Sequence, residues 1–320
     1  MDRTPAGRLS GILAPFAVAI LLATPTAANP IVVNPGVSAA AMVANLVNAA
    51  SGITVVPGSE TYVGAPLASG LFTGGTGILP FDAGVALTTG RESNIPGPNN
   101  RSNTTFSNGT AADPNLDAVA RAVLNLGPAV NLHSGDAALL SFQFTSTLPA
   151  VSFQYVFGSE EYNEFVNTQF NDVFAFFLNG VNIAVLPNTD PPVVITVNSV
   201  HTGKNDAYFF NNISGARNIQ YDGLVGVTIP LFATGNVNPG VNTIVLGIED
   251  VGDLTFDSGV MLAANSFTAT TPPEVVPTVP EPGTWLFVGS GLALAVRRKW
   301  LALPCRARNS SCTPRPGASA

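Results

Sequence analysis

"DAALLSFQFTSTLPAVSFQYVFGS", Asp136 to Ser159, holds two runs of alternating apolar and polar residues. Successive side chains of an extended chain point to opposite sides, so Leu140, Phe142 and Phe144 share one face of the first run. Val151, Phe153, Tyr155 and Phe157 share one face of the second. Leu148 to Ala150 breaks the alternation, which predicts a turn and a hairpin. Downstream, "DVFAFFLNGVNIAVLP" carries Asn179-Gly180, a strong hairpin signal. Further strands are expected in "ITVVPGSETYVG", "ASGLFTGGTGILPFDAGVALTTG", "PVVITVNSV", "VGVTIPLF", "NTIVLGIEDV" and "SGVMLAANSFTAT".

Two stretches have helical spacing instead. Val37 to Gly52 places Ala41, Val43, Leu46 and Ala49 on one face. In "DPNLDAVARAVLNLG", Asp113 can cap and Pro114 fits the first helical position, with Leu116, Val119, Ala120, Val123 and Leu124 as the apolar face. "RESNIPGPNNRSNTTFSNGT" between these elements reads as a polar loop. The fold class is therefore mainly β: a β-sandwich of jelly-roll-like type with one or two short helices. No 20- to 50-residue repeat is visible, which disfavours a solenoid or propeller.

The 320 residues, 46% of them hydrophobic, suffice for a core without disulfide staples. Both cysteines, Cys305 and Cys312, lie near the C-terminus, so the body carries no thiol. At the N-terminus Arg3 and Arg8 precede an apolar run from Gly11 to Leu22 and small residues at Thr26 and Ala28, the order of a signal peptide over residues 1–28. Between Asn29 and Pro273 there are five basic and 17 acidic residues, a net charge of −12. Such a surface repels nucleic acid and anionic lipid and favours cations or neutral partners.

After the 29–270 body comes a Pro-rich linker, residues 271–283. Residues 284–300 then form an apolar segment with a basic end, and 301–320 a tail of unknown role. "VPEPGTWLFVGSGLALAVRRK" resembles the PEP-CTERM sorting signal of Gram-negative bacteria, through Pro280, Glu281 and Pro282 and the cluster Arg297, Arg298 and Lys299. The resemblance implies transient insertion of a single membrane segment in the inner membrane, an exosortase-type sorting enzyme as partner, and delivery to the cell surface, outer membrane or extracellular matrix. The body resembles the choice-of-anchor L family over roughly Val37 to Phe267, in "MVANLVNAASGITVVPGSETYVG", "GVALTTG", "YVFGSEEYNEFVNTQFNDVFAFFLNG", "NNISGARNIQYDG" and "IEDVGDLTFDSGVML". That family implies an exported, anchored module without an established catalytic activity.

Two acidic segments stand out in a chain with 10% charged residues. "GSEEYNEF" with "FND" contributes Glu160, Glu161, Glu164 and Asp172; "EDVGDLTFDS" contributes Glu249, Asp250, Asp253 and Asp257. If both lie at strand ends on one rim, Glu160, Glu161, Asp172, Asp250, Asp253 and Asp257 would make a Ca²⁺ site, supplemented by Asn171, Asn163 or backbone carbonyls. The spacing is not that of an EF-hand, and the competing reading is that these acids are solvated or cap backbone N–H groups. Glu164 and Glu249 are assigned to that bland role.

Three functions follow as expectations: a non-enzymatic structural or adhesive module contacting extracellular polysaccharide or cell-surface components, a lectin-like carbohydrate-binding module, or a glycan-active enzyme using paired carboxylates. Glu160 and Glu161 are adjacent, so in an extended chain they diverge and cannot flank one bond. His133 and His201 lie near no nucleophile turn. Phe174, Phe176 and Phe177 read as core before they read as a sugar platform.

Overall fold

The computed structural model describes residues 30–271. In chain order the early strands are β1 (Val32–Pro35), β2 (Ile53–Val55), β3 (Thr61–Val63), β4 (Ser69–Thr73) and β5 (Gly84–Thr88). The long central ones are β6 (Gly135–Ser146), β7 (Ala150–Ser159), β8 (Val173–Leu178) and β9 (Val181–Asn182). Then come β10 (Phe209–Asn211), β11 (Gly223–Val225), β12 (Leu231–Asn236), β13 (Asn242–Asp250), β14 (Ser258–Ala263) and β15 (Thr268–Thr270). Helix α1 (Ala39–Leu46) precedes β2, and α2 (Pro114–Leu124) precedes β6.

The strands form two antiparallel sheets. The larger runs β1-β4-β5-β14-β7-β11-β10, with β12 and β15 also on β7; the smaller runs β2-β6-β13-β8-β9, with β3 on β6. The expected hairpin of β6 and β7 does not form, because the two strands lie in different sheets. A hairpin would set their aromatic faces side by side; crossing between sheets lets those faces cover each other. Phe142 and Phe144 from β6 thus meet Phe153 from β7 around Phe267, with ring centroids 5.2–5.3 Å apart. The Thr147–Pro149 link is held at both ends, by Thr147 N–H to Gly52 O (2.9 Å) and Val237 N–H to Pro149 O (2.9 Å).

Other expectations hold or shift locally. Asn179 and Gly180 take positive φ (50° and 84°) in the turn joining β8 to β9, as the Asn-Gly pair predicts. Helix α2 starts as expected, with Asp113 Oδ1 accepting from the N–H groups of Asn115 and Leu116. Helix α1 stops at Leu46, short of Gly52. "PVVITVNSV" is not a strand and makes only isolated bridges at Val194 and Thr196, because the Ser199 hydroxyl binds Thr196 N–H and Val194 O and folds the segment into a turn. "VGVTIPLF" divides into β11 and β12, which pair with successive parts of β7.

Three apolar clusters result. The main one fills the space between the sheets and contains Phe174 and Phe176, both fully buried. A second covers the outer face of the large sheet with Ile78, Ile95, Ile219 and Tyr221. The third seats Leu116 and Ala120 of α2 on Val173 and Ala175 of the small sheet, with Phe177 against it. The described body therefore buries a core of its own.

Candidate functional site

Antiparallel connectivity brings the starts of some strands beside the ends of others, and at one such end six positions are acidic. Asp136 lies at the start of β6, Asp172 just before β8, Asp222 just before β11 and Asp257 just before β14; Glu160 follows β7 and Asp250 ends β13. The two distant acidic segments therefore meet.

Between the sheets, Glu249 pairs with Val173, and the ladder continues through Asn171 N–H to Val251 O (3.1 Å). Asp172 and Asp250 are consequently opposite each other. They share a face with Phe174, Phe176, Leu246 and Ile248, so their carboxyl groups close the end of the apolar interior. Asp172 Oδ1 accepts from Val251 N–H (2.9 Å) and Oδ2 from the Ser258 hydroxyl (2.7 Å). Asp250 is 1% exposed and neither oxygen has a partner within hydrogen-bond distance, although the Thr89 side chain lies near enough to favour its charged form. Glu161, equally buried, leaves Oε2 unpartnered. Burial first, and then the neighbouring acids, push the Glu161, Asp172 and Asp250 carboxyls upward.

A second row lies on the other face of the large sheet. Ser159 pairs with both Gly223 and Ser258, so one residue further on Glu160 lies between Asp222 and Asp257. Glu160 N–H to Asp257 O (3.2 Å) closes this step. Phe153, Tyr155 and Phe157 face inward, which turns Glu160 outward and Glu161 inward. Asp257 accepts from Phe106 N–H (2.8 Å) and Asn94 Nδ2 (3.2 Å), and Asp222 from Asn99 Nδ2 (2.7 Å). Gly90 permits the close approach of Asp257: a Cβ there would lie 1.7 Å from Asp257 Oδ2. Burial raises Glu160 to about 8, with Asp222 the next cause, and raises Asp257 to about 6. Asp222 is raised too, again mainly by burial.

The segment read as a polar loop is a strap across this end. Alternate backbone N–H groups donate to carboxylates: Thr104 to Glu160 Oε2 (3.3 Å), Phe106 to Asp257, and Asn108 and Thr110 to the two oxygens of Asp136 (2.9 Å each). Asp113 N–H then reaches Glu249 Oε2 (2.8 Å), while Oε1 of this fully buried acid has no partner; burial raises it to about 9. Among the described residues no basic side chain figures among the groups that act on Glu161, Asp172 or Asp250. Arg121, Lys204 and Arg217 donate to backbone carbonyls, and Arg91 lies 3.3 Å from the centroid of the Phe106 ring.

Of the six residues proposed from sequence as ligands, Glu161, Asp172 and Asp250 converge between the sheets, and Glu160 and Asp257 lie on the outer face. Asp253 is half-buried, and its Oδ1 accepts from Thr255 N–H and hydroxyl in its own turn. Asn171 Oδ1 accepts from Asn198 N–H (2.8 Å). Sequence reasoning missed Asp136 and Asp222; each opens a strand, but that the neighbouring strand ends in an acid is visible only in the pairing. Among the described residues no three Asp, Glu, His or Cys groups are drawn into a coordination sphere.

Catalytic groupings are weak by comparison. Glu160 and Glu161 point to opposite sides of the sheet. His133 contacts Asn131, and His201 Nδ1 lies 2.9 Å from Thr202 O. A cavity of about 460 Å³, lined by residues including Leu126, His133, Asn167, Asn198 and Lys204, contains no carboxylate.

A family model for the choice-of-anchor L domain matches residues 32–268. The chain belongs to the choice-of-anchor L domain family. A model of the PEP-CTERM protein-sorting motif matches residues 278–299, spanning Pro280, Glu281, Pro282, Arg297, Arg298 and Lys299. Both resemblances read from the residues are thereby met. The sorting motif marks this choice-of-anchor L protein for export and cell-surface sorting in Gram-negative bacteria through exosortase machinery. The motif, the tail and the segment 1–28 read as a signal peptide lie outside the described residues. Comparison with curated proteins and with solved structures gave no match.

Proposed function

We propose that this choice-of-anchor L protein is a non-enzymatic structural or adhesive module of the extracellular matrix or biofilm, whose acidic end is stiffened by Ca²⁺. The observation that carries the cation reading is Asp250, an almost completely buried carboxyl group with two unpartnered oxygens, directly across the ladder from Asp172 and near Glu161. A buried polar group without a partner costs about 1–3 kcal/mol, and more when charged. Hard oxygen donors without sulfur or imidazole suit Ca²⁺, with side-chain rotation and backbone carbonyls completing the six to eight oxygens it takes. Bound there, the ion would tie β8 and β13 to the Glu161 loop of the opposite sheet and hold the rim rigid for contact with polysaccharide or neighbouring cells.

The test is thermal melting of the 29–273 body with calcium or with a chelator. At about 10 mM calcium and a dissociation constant near 10⁻⁴ M, linkage gives about 2.7 kcal/mol, a rise of roughly 5–10 °C. An unchanged midpoint removes the cation part of the reading. A glycan array on the calcium-loaded body tests the contact with polysaccharide. Binding of a single oligosaccharide class in a closed pocket would favour the lectin-like alternative.

A further inference from the structure

Five of the six acids proposed as one site are divided by the large sheet, and on its outer face Glu160, with its neighbour Asp222, has open valences of its own. Glu160 and Asp222 are opposed across β7 and β11 one residue beyond the Ser159–Gly223 pair. Directly opposed like charges destabilise a sheet. Glu160 is fully buried and Asp222 is 3% exposed, yet Glu160 Oε1 and Asp222 Oδ2 have no hydrogen-bond partner. Asp257, the third member of the row, has both oxygens engaged by Phe106 N–H and Asn94.

The surroundings supply what an ion would need. Thr104, whose N–H reaches Glu160 Oε2, has a buried hydroxyl without a partner. Thr104 and Gln220 line a polar cavity of about 230 Å³ together with Asn94, Asn100 and Arg101. Gln220 Nε2 donates to Asn99 Oδ1 (3.2 Å) and Arg101 O (2.9 Å), and the same side chain lies close enough to Glu160 to favour its charged form against the larger effect of burial. Two charged groups bear on the site from outside: Glu164, whose charge acts on Asp222, and the exposed Arg101 beside the cavity.

We propose that Glu160 and Asp222 form a second divalent-cation site on the outer face of the large sheet, with the Thr104 hydroxyl as a further oxygen donor. It takes a hard ion of the Ca²⁺ class and pins the strap at Thr104 to β7 and β11. This rests on the cation reading above for the identity of the ion, but not on the inner residues.

Calorimetric titration of the 29–273 body with CaCl₂ separates the two. The wild type is expected to bind two equivalents, D222N and E160Q one each, and D250N one; E160Q, a neutral isostere, serves if D222N does not fold. Two equivalents in both D222N and E160Q overturn the second site. One equivalent in the wild type, lost in D250N and kept in D222N and E160Q, overturns it while sustaining the inner site. One equivalent lost in D222N and E160Q but kept in D250N sustains the outer site and sinks the inner one. No binding at all sinks both.

Discussion

Asp250 concentrates the problem that this end of the molecule poses. Its backbone belongs to a regular ladder and its side chain to the apolar interior, so it cannot turn to solvent without breaking β13 from β8. Burial pushes its carboxyl well above the usual range, and the charge of Asp172 adds to that. Asparagine at this position removes the charge while keeping the shape. In chelator at about pH 9, D250N is expected to melt roughly 2–4 °C above the wild type, the shift that about 1 kcal/mol gives in a domain of this size. With calcium present the order reverses, because the variant has lost the ligand. A D250N protein that melts below the wild type in chelator would show that the native carboxylate is satisfied by something other than an ion.

At the scale of elements, the strap from Thr104 to Thr110 behaves as a strand whose partners are carboxylates. Its alternate N–H groups bond side chains from β6, the β7 extension and the β14 approach, each link independent of the next. Asp136 accepts two of these bonds and has φ of 51°, a conformation that Asn tolerates. D136N is therefore expected to cost about 2 kcal/mol, through one lost charge-assisted bond. Amide exchange should accelerate at Asn108 or Thr110 while Thr104 and Phe106 keep their protection. Unchanged exchange at both Asn108 and Thr110 would contradict the pinning.

The sequence showed this segment to be a polar loop but not where its donors go, because the acceptors lie 26 to 151 residues away and no local pattern encodes that distance. The strands β6 and β7 were legible from alternation, and their inward faces were assigned correctly. Their membership of different sheets was not, since alternation fixes which side chains share a face and leaves open whether two faces lie abreast or opposed. The divergence of Glu160 and Glu161 was legible for the same reason, as a consequence of the two-residue period. Asp222 escaped notice because it is a lone acid in a neutral stretch, and only the pairing of β11 with β7 makes it Glu160's neighbour.

For the whole molecule, the acids at one end set an unusual dependence of stability on pH. In the metal-free fold Glu160 is raised from 4.5 to about 8, Glu249 from 4.5 to about 9 and Asp257 from 3.8 to about 6, while Glu161 and Asp250 move in the same direction. Between the unfolded and folded values the native state binds more protons than the unfolded chain, so the slope of stability against pH is negative. The contribution is complete below about pH 4 and is lost as pH rises through about 6 to 9. Asp82, lowered by its bonds to Thr76, has the opposite sign but is fully exposed. Between pH 5 and pH 9, melting in chelator is thus expected to be highest at the acid limit and to fall steadily toward pH 9. Calcium competes with those protons for the same oxygens, so its stabilisation should be small near pH 5 and largest near pH 9. Parallel melts in chelator and calcium across that range test both statements. A chelated midpoint that climbs with pH would mean that the acidic end is hydrated rather than buried.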